Sequence, residues 1–409
     1  EYMYNKRKII NDPVFGFVNI SDEFIYKLVR HPYLQRLNRI RQLGMAFYVY
    51  PGAQHTRFHH TIGAMYLMDV ALSNLRLKGH SITDDEYRGA LAAILIHDIG
   101  HTPFSHVLEH SLIGNIDHEK VSLLMAQKIN KEMNNVLDIA LKIFTDKYHK
   151  RFLHQLVSGQ LDVDRLDYLQ RDSFFTGVSE GSIGAARIMK MLNVVDDKLV
   201  VESKGIYSIE NFLRSRRFMY WQVYLHKTAV SSEKMLINTI TRAKYLTSKG
   251  EKLFASPALE FFLRNNLTIE EFKNNDEVLM HFSNLDDNDI WTALKVWQSH
   301  SDLVLSLLSK GMVNRKLYKI EITNTPHSIE KRNRYVRKYM GKYNLTEKEA
   351  SYFVSSDSLA TDMYNQYDES IKILFNDGTI KDISNASDMF NIELLSKKVE
   401  KYYFAYLRD

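Results

Sequence analysis

The 409-residue sequence contains no cysteine, which excludes disulfide bonds and thiolate metal ligands. That absence fits a reducing compartment and sets the expectation of a cytoplasmic protein. Six prolines and seventeen glycines are few for this length, which favours long helices over a turn-rich β architecture. No apolar run reaches the roughly 18 residues that a transmembrane helix needs, so no membrane partner is expected. Glu1 to Ile10 is too charged to read as a signal peptide. Nor does one sign of charge dominate: 54 basic and 49 acidic residues leave a formal charge of +5, interspersed along the chain. Such a bias helps to attract polyphosphates but lacks the clustered stripe of a nucleic-acid-binding domain.

What is abundant is helical pattern. Asn11-Asp12-Pro13 reads as a turn into an extended stretch ending at Ile20, and Ser21 is expected to cap a helix beginning at Asp22. His31-Pro32 breaks it, and a second helix is expected to run to about Leu43. Apolar periodicity predicts a helix over 61–77, and Thr83 with Glu86 forms a capping box for the next. Further helices are expected near 119–130, 132–145 and 149–158, after Asp162, and over roughly 208–247, with helix pairs around 258–309. The texture changes near Arg315: 317–322 reads as a strand, Asn376-Asp377-Gly378 as a hairpin turn, and 388–405 as a terminal helix. The expected fold is mainly α, a helical domain over 1–314 with its motifs in 42–172, and a small α+β appendage over 315–409.

Nine of the sixteen histidines fall between His55 and His118, a crowding that composition does not explain. His97-Asp98 ends an apolar helix, where polar side chains are costly unless paired or bound to a metal. Imidazole beside carboxylate suits a divalent transition metal. His60 upstream and Asp164 downstream complete a two-His, two-Asp set, which leaves positions on an octahedral ion for water and phosphate oxygens. Gly100 is expected to let the backbone turn after the pair. His106 and Glu109, three apart, share a helix face. Asp162 and Asp167 read as caps or arginine partners rather than ligands.

These motifs resemble those of the HD-domain deoxynucleoside triphosphate triphosphohydrolases, a family that takes in the vertebrate SAM-and-HD-domain enzyme and bacterial dGTPase-like relatives. The matching stretches are Gln42-Leu43-Gly44, His55-Thr56-Arg57-Phe58-His59-His60, His97-Asp98-Ile99-Gly100-His101-Thr102-Pro103-Phe104-Ser105-His106, His118-Glu119 and Asp162-Val163-Asp164-Arg165-Leu166-Asp167-Tyr168. The resemblance implies an HD-domain helical bundle and one divalent ion (Mn, Fe, Mg, Ni or Zn) on His60, His97, Asp98 and Asp164. It implies that His101, His106 and His118 surround the reacting phosphates, with His106 moving a proton or attacking in line and Glu109 orienting it. Arg57 and Arg165 would then neutralise the triphosphate. Gln42, Leu43, Tyr168, Asp172, Arg216 and Tyr224 fall at nucleotide-contacting positions, and a tyrosine under C2′ would reject ribonucleotides. Leu225 stands where a glutamine is common.

The implied reaction is attack on the α-phosphorus, releasing deoxynucleoside and tripolyphosphate. Lys8 and Asn11 match positions of a regulatory cleft, while Arg30 and Asn38 replace the acidic residue and arginine that relatives place around Gln35. The expectation is an activating nucleotide bound without guanine specificity, in a homo-oligomer that is a dimer or tetramer. Two other readings stay open: an HD-class phosphodiesterase or nucleotidase, and a catalytically silent nucleotide- or nucleic-acid-binding protein.

Overall fold

The structure, a computed structural model, describes residues 8–114, 116–360, 370–388 and 399–408, without the side chains of His106 and Ala360. The chain opens with a hairpin, β1 (Lys8–Asp12) and β2 (Gly16–Ile20), in which Ile10 opposes Val18. Asp12 Oδ1 accepts the Val14 and Phe15 amides at 2.8 and 2.9 Å, which shapes the turn. Helix α1 (Glu23–Val29) is capped by Asp22, not Ser21: its carboxylate takes the Ile25 amide at 3.0 Å. The second helix stops early. After α2 (Pro32–Gln35) and a 3-10 turn over Arg36–Arg39, Ile40 becomes extended. Pairing with the segment before residue 57 ends it: Arg57 donates to Ile40 O at 2.9 Å and Gln42 to His55 O at 3.0 Å.

The centre of the fold is α3 (Arg57–Leu77), packed against both α4 (Asp84–Ile96) and α9 (Val163–Thr176). Thr83 and Glu86 form the expected reciprocal cap of α4, and nine of its residues, Glu86 among them, are buried. Between these come α5 (His106–Leu108), α6 (His118–Glu132), α7 (Asp138–Phe144) and α8 (Arg151–Val157). Helix α7 starts later than its pattern suggested because Asn134 and Asn135 take left-handed φ of 56° and 65°, a conformation asparagine tolerates.

After α10 (Ala185–Met191), β3 (Leu192–Val195) and β4 (Lys198–Glu202) form an unforeseen hairpin around Asp196-Asp197, both at positive φ. The long helix expected over 208–247 is two: α11 (Ile206–Met219) ends in a π turn, and α12 (Lys227–Ser248) restarts with His226 Nδ1 accepting the Thr228 amide. Helices α13 (Pro257–Arg264), α14 (Ile269–Asn274), α15 (Asp276–Asn284), α16 (Asp287–Trp297) and α17 (Leu303–Val313) follow.

In the C-terminal region β5 (Lys319–Thr323), α18 (Ile329–Tyr343), β6 (Val354–Ala360) and the hairpin β7 (Lys372–Leu374) and β8 (Ile380–Asp382) are found. Gly378, at φ +84°, makes the expected Asn-Asp-Gly turn possible. Strand β7 runs parallel to β4, giving the order β3-β4-β7-β8. The terminal helix is corrected: residues 389–398 lie outside the described residues, and β9 (Glu400–Tyr406) is the central strand of β5-β9-β6. Its aromatic run, with Tyr403 to Tyr406 buried, suits a pleated, covered surface better than an exposed helix. No described helix is long and apolar enough to cross a membrane.

Candidate active site

Three helix ends meet beside a cavity of about 950 Å³. The first turn of α3 supplies His60, the end of α4 supplies His97 and Asp98, and the start of α9 supplies Asp164. His60 Nε2 lies 3.4 Å from His97 Nε2, 3.1 Å from Asp164 Oδ1 and 3.7 Å from Asp98 Oδ2. His97 Nε2 is 3.3 Å from Asp98 Oδ1 and 3.6 Å from Asp164 Oδ1. One ligand atom each of His60, His97 and Asp164 therefore converges, with the Asp98 carboxylate alongside, one oxygen toward each imidazole.

Their remaining polar atoms are already committed. His60 Nδ1 is 2.7 Å from Asp167 Oδ2, and His97 Nδ1 is 2.5 Å from Ile94 O. Each imidazole thus donates through Nδ1, which leaves both Nε2 lone pairs aimed at each other and at the carboxylates, as metal-ligating histidines require. Protonation follows the same demand for positive charge. Burial opposes a charge on His60, yet the hydrogen bonds to Asp164 and Asp167 outweigh it and push its pKa up to about 10. Burial likewise opposes ionisation of Asp164, but His60 and His97 hold its carboxyl well below the usual range. A cluster that pulls protons onto its imidazoles is one that a divalent cation fits.

Asp98 also accepts from Arg57 Nη1 at 2.6 Å and lies 3.2 Å from His101 Nε2. Gly100 serves close approach rather than a left-handed turn: a Cβ there would sit 2.3 Å from His118 O and from the Ser122 amide. That contact lets α6 bring His118 over His101, the rings stacking 3.8 Å apart. Glu109 Oε1 lies 3.2 Å from His118 Nδ1 and 3.7 Å from His101 Nδ1. Burial and the nearby Arg57 charge push the His101 pKa well down; at His118 burial is outweighed by Glu109, which raises it. His106 opens α5 on the same loop, its side chain outside the described residues. Phe104 and Ser105 take positive φ of 58° and 55°, a backbone strain that puts Ser105 Oγ 2.6 Å from Arg57 Nη2.

Farther along the cavity are Gln42, Leu43, Tyr168, Asp172 and Tyr224. Tyr224 donates to Asp172 Oδ2 at 2.7 Å, and His55 Nε2 is 2.7 Å from Asp172 Oδ1. Tyr168 and Tyr220 both meet the Tyr224 ring edge-on. Gln42 Oε1 is buried without a hydrogen-bond partner among the described residues, as is Arg57 Nε.

Arg165 and Arg216 are placed elsewhere. Arg165 is drawn to the buried Asp162 and to Gly159 O, and Arg216 donates to Gln160 at 3.2 Å; neither lines the cavity. Asp162 does cap α9 through the Arg165 amide at 2.7 Å. Lys8 and Asn11 are on β1, outside the cavity lining, with Lys8 Nζ 5.2 Å and Arg30 5.6 Å from the Tyr26 ring centre. Sequence reasoning missed His55, Tyr220, Lys120, His110, His154 and Lys234 on or behind this wall. His55 and His110 belong to the histidine cluster; the others carry no local signal.

The HD domain family matches residues 57–172, and the HD-associated region matches residues 183–254. The crystal structure of a phosphohydrolase from Bacteroides thetaiotaomicron superposes with a TM-score of 0.96 at 59% identity, covering 98% of this chain and 100% of that one. The uncharacterized protein YwfO of Bacillus subtilis is 31% identical over 96% of this chain and 90% of its own length. A deoxynucleoside triphosphate triphosphohydrolase SAMHD1 homolog of Dictyostelium discoideum is 29% identical over 60% of this chain, which spans about half (51%) of that relative. Helix ends that gather imidazoles and carboxylates, within the matched residues, agree with these likenesses: the chain belongs to the HD-domain phosphohydrolase family.

Proposed function

We propose that the protein is a metal-dependent triphosphohydrolase that cleaves deoxynucleoside triphosphates to deoxynucleoside and tripolyphosphate. The observation that carries the reading is the convergence of His60, His97 and Asp164, with Asp98 alongside, beside a cavity large enough for a nucleotide. One divalent ion on these four groups supplies Lewis-acid activation of a phosphoryl oxygen and of the attacking water.

The chain's own residues do the rest. Arg57, tied to Asp98 and Ser105, presents a fixed guanidinium to the charge that develops on phosphate. His101, whose burial beside Arg57 disfavours its charged form, and His118, whose charged form Glu109 favours, stack on the same wall as a candidate acceptor and donor pair, with His106 on the adjoining loop. Gln42 has a free buried acceptor for a sugar hydroxyl, and Tyr224, fixed by Asp172, closes the space a 2′-hydroxyl would need. We further propose that a nucleotide bound near Lys8 and Asn11 activates a homo-oligomer. Turnover independent of nucleotide by a monomer in light scattering would remove that part.

A smaller phosphate ester is the second reading, favoured by one observation: Arg165 and Arg216 do not reach the cavity, which leaves Arg57 as the arginine on its wall among the described residues. Product analysis with each deoxynucleoside triphosphate and Mn²⁺ separates the two. Deoxynucleoside plus tripolyphosphate from wild type, and neither from His97→Ala, supports the triphosphohydrolase. Hydrolysis of nucleoside monophosphates or phosphodiesters alone supports the second.

A further inference from the structure

His60 is connected to a part of the chain some fifty residues before it. Its Nδ1 meets Asp167 Oδ2 at 2.7 Å, and Asp167 is clasped by Arg171, whose Nη2 lies 3.0 Å from Oδ1 and whose Nε lies 3.0 Å from Oδ2. Arg171 Nη1 lies 2.8 Å from Asp12 Oδ2, at the end of β1. All four side chains are buried: His60, Asp167 and Arg171 at 0% exposure and Asp12 at 5%. Asp12 divides its oxygens, one for the hairpin turn and one for Arg171. Phe15, in that turn, stacks on Tyr66 of α3 and lies 5.7 Å from the Arg171 guanidinium.

The helix facing this chain of charges is cut to admit it. A Cβ on Gly63 would stand 2.0 Å from Asp167 Oδ1 and 2.1 Å from Arg171 Nη2, so only glycine fits there with the pair in place.

We propose that the β1–β2 hairpin is a working part of the metal centre, with Asp12 and Arg171 as positioning residues that act on the ion through Asp167 and His60. The inference rests on the reading of His60 as a metal ligand. A buried guanidinium needs its charge and its donors met on every side, and two carboxylates do this for Arg171. With Asp12 present, Arg171 shares its charge between two anions, and Asp167 Oδ2 keeps a lone pair for His60 Nδ1. Without Asp12, the whole charge falls on Asp167 and draws it from the imidazole. His60 then loses the partner that fixes its ring and tautomer, and outer partners of this kind are worth about 10- to 100-fold in metal affinity.

The test is Mn²⁺ binding by calorimetry to the chelator-stripped full chain, with circular dichroism confirming that each apoprotein is folded. Asp12→Asn, which keeps the shape and removes the charge, is expected to raise the Kd about tenfold or more. Gly63→Ala, which leaves the hairpin intact and displaces the pair from the other side, is expected to do the same. Asp302→Asn weakens the pair with the buried Arg242, outside the cavity lining, and is expected to lower stability at wild-type Mn²⁺ affinity. Wild-type affinity in both folded Asp12→Asn and Gly63→Ala would overturn this inference alone. Failure of the wild-type chain to take up Mn²⁺ or any other divalent ion would overturn the metal centre and this inference with it.

Discussion

The two ends of the cavity hold their polar groups in opposite ways. At the metal end, each imidazole has its outer nitrogen spoken for, His60 by Asp167 and His97 by Ile94 O, and the inner nitrogens are left to face a common point. At the far end, Arg165 and Arg216 stand outside the lining, bound to Asp162, Gly159 O and Gln160, while Gln42 Oε1 on the wall lacks a partner among the described residues. One end aims its groups at a shared point; at the other, the motif arginines are held away from the lining. The lesson is that a charged residue in a motif marks a neighbourhood, and its nearest buried counter-charge decides where it points.

Four predictions break or sharpen that contrast. The largest effect is expected at the metal end: His97→Ala should lower Mn²⁺-dependent turnover by about 10³-fold or more, since several kcal/mol of charge stabilisation go with the ion. Metal content by mass spectrometry should fall in parallel; a variant that keeps both would end the assignment.

Next come the two arginines, which the contrast sets apart. Arg57→Ala should cut kcat/KM by about 10²-fold, the scale of losing one preorganised donor to developing charge. Arg165→Ala should change kcat/KM by less than about tenfold but cost roughly 2 kcal/mol in urea unfolding, because Asp162 is left buried with backbone partners alone. The reverse ranking would mean that Arg165 swings into the cavity when substrate binds.

A smaller change, about tenfold, is expected in the preference for deoxy- over ribonucleotides in Tyr224→Phe, measured as a ratio of kcat/KM values. The hydroxyl removed is the one that fixes Tyr224 on Asp172. An unchanged ratio would take Tyr224 out of sugar selection.

The least effect on turnover belongs to Asp287, which accepts the Arg41 amide at 3.0 Å and so supports the segment carrying Gln42. Burial pushes its carboxyl up to about 6. The folded chain therefore holds this proton more tightly than the unfolded chain, so the contribution to stability is full below about pH 4 and is lost as pH rises through about 6. The loss is on the order of 2–3 kcal/mol, and Asp287→Asn should remove that part of the slope in urea melts between pH 4 and 8. A variant with the wild-type slope would place the titration elsewhere.

Local rules were legible wherever a few neighbouring residues settled the outcome. The Thr83–Glu86 capping box, the Asp162 cap and the Asn376-Asp377-Gly378 turn each stand within one turn of chain, and the structure has all three. Helix ends inside long apolar patterns were less legible. The break at Leu225 depends on a π turn and a histidine cap, and the stop at Ile40 depends on pairing with residues thirteen or more positions away. Strand β9 reads as helix in isolation because its aromatic run gains its value only between β5 and β6.

The sequence by itself determined which groups are candidates for the proposed metal end. Two histidines and two aspartates at helix ends have few other ways to be buried, so residue type and spacing carry the assignment. Tertiary structure alone decided what stands behind them. That Gly63 makes room for Asp167 and Arg171, and that Asp12 reaches His60 through that pair, are both outcomes of counter-charges meeting in a low-dielectric interior. There a partner more than a hundred positions away in the chain outweighs any neighbour in sequence, because an unpaired buried charge costs more than any local preference returns.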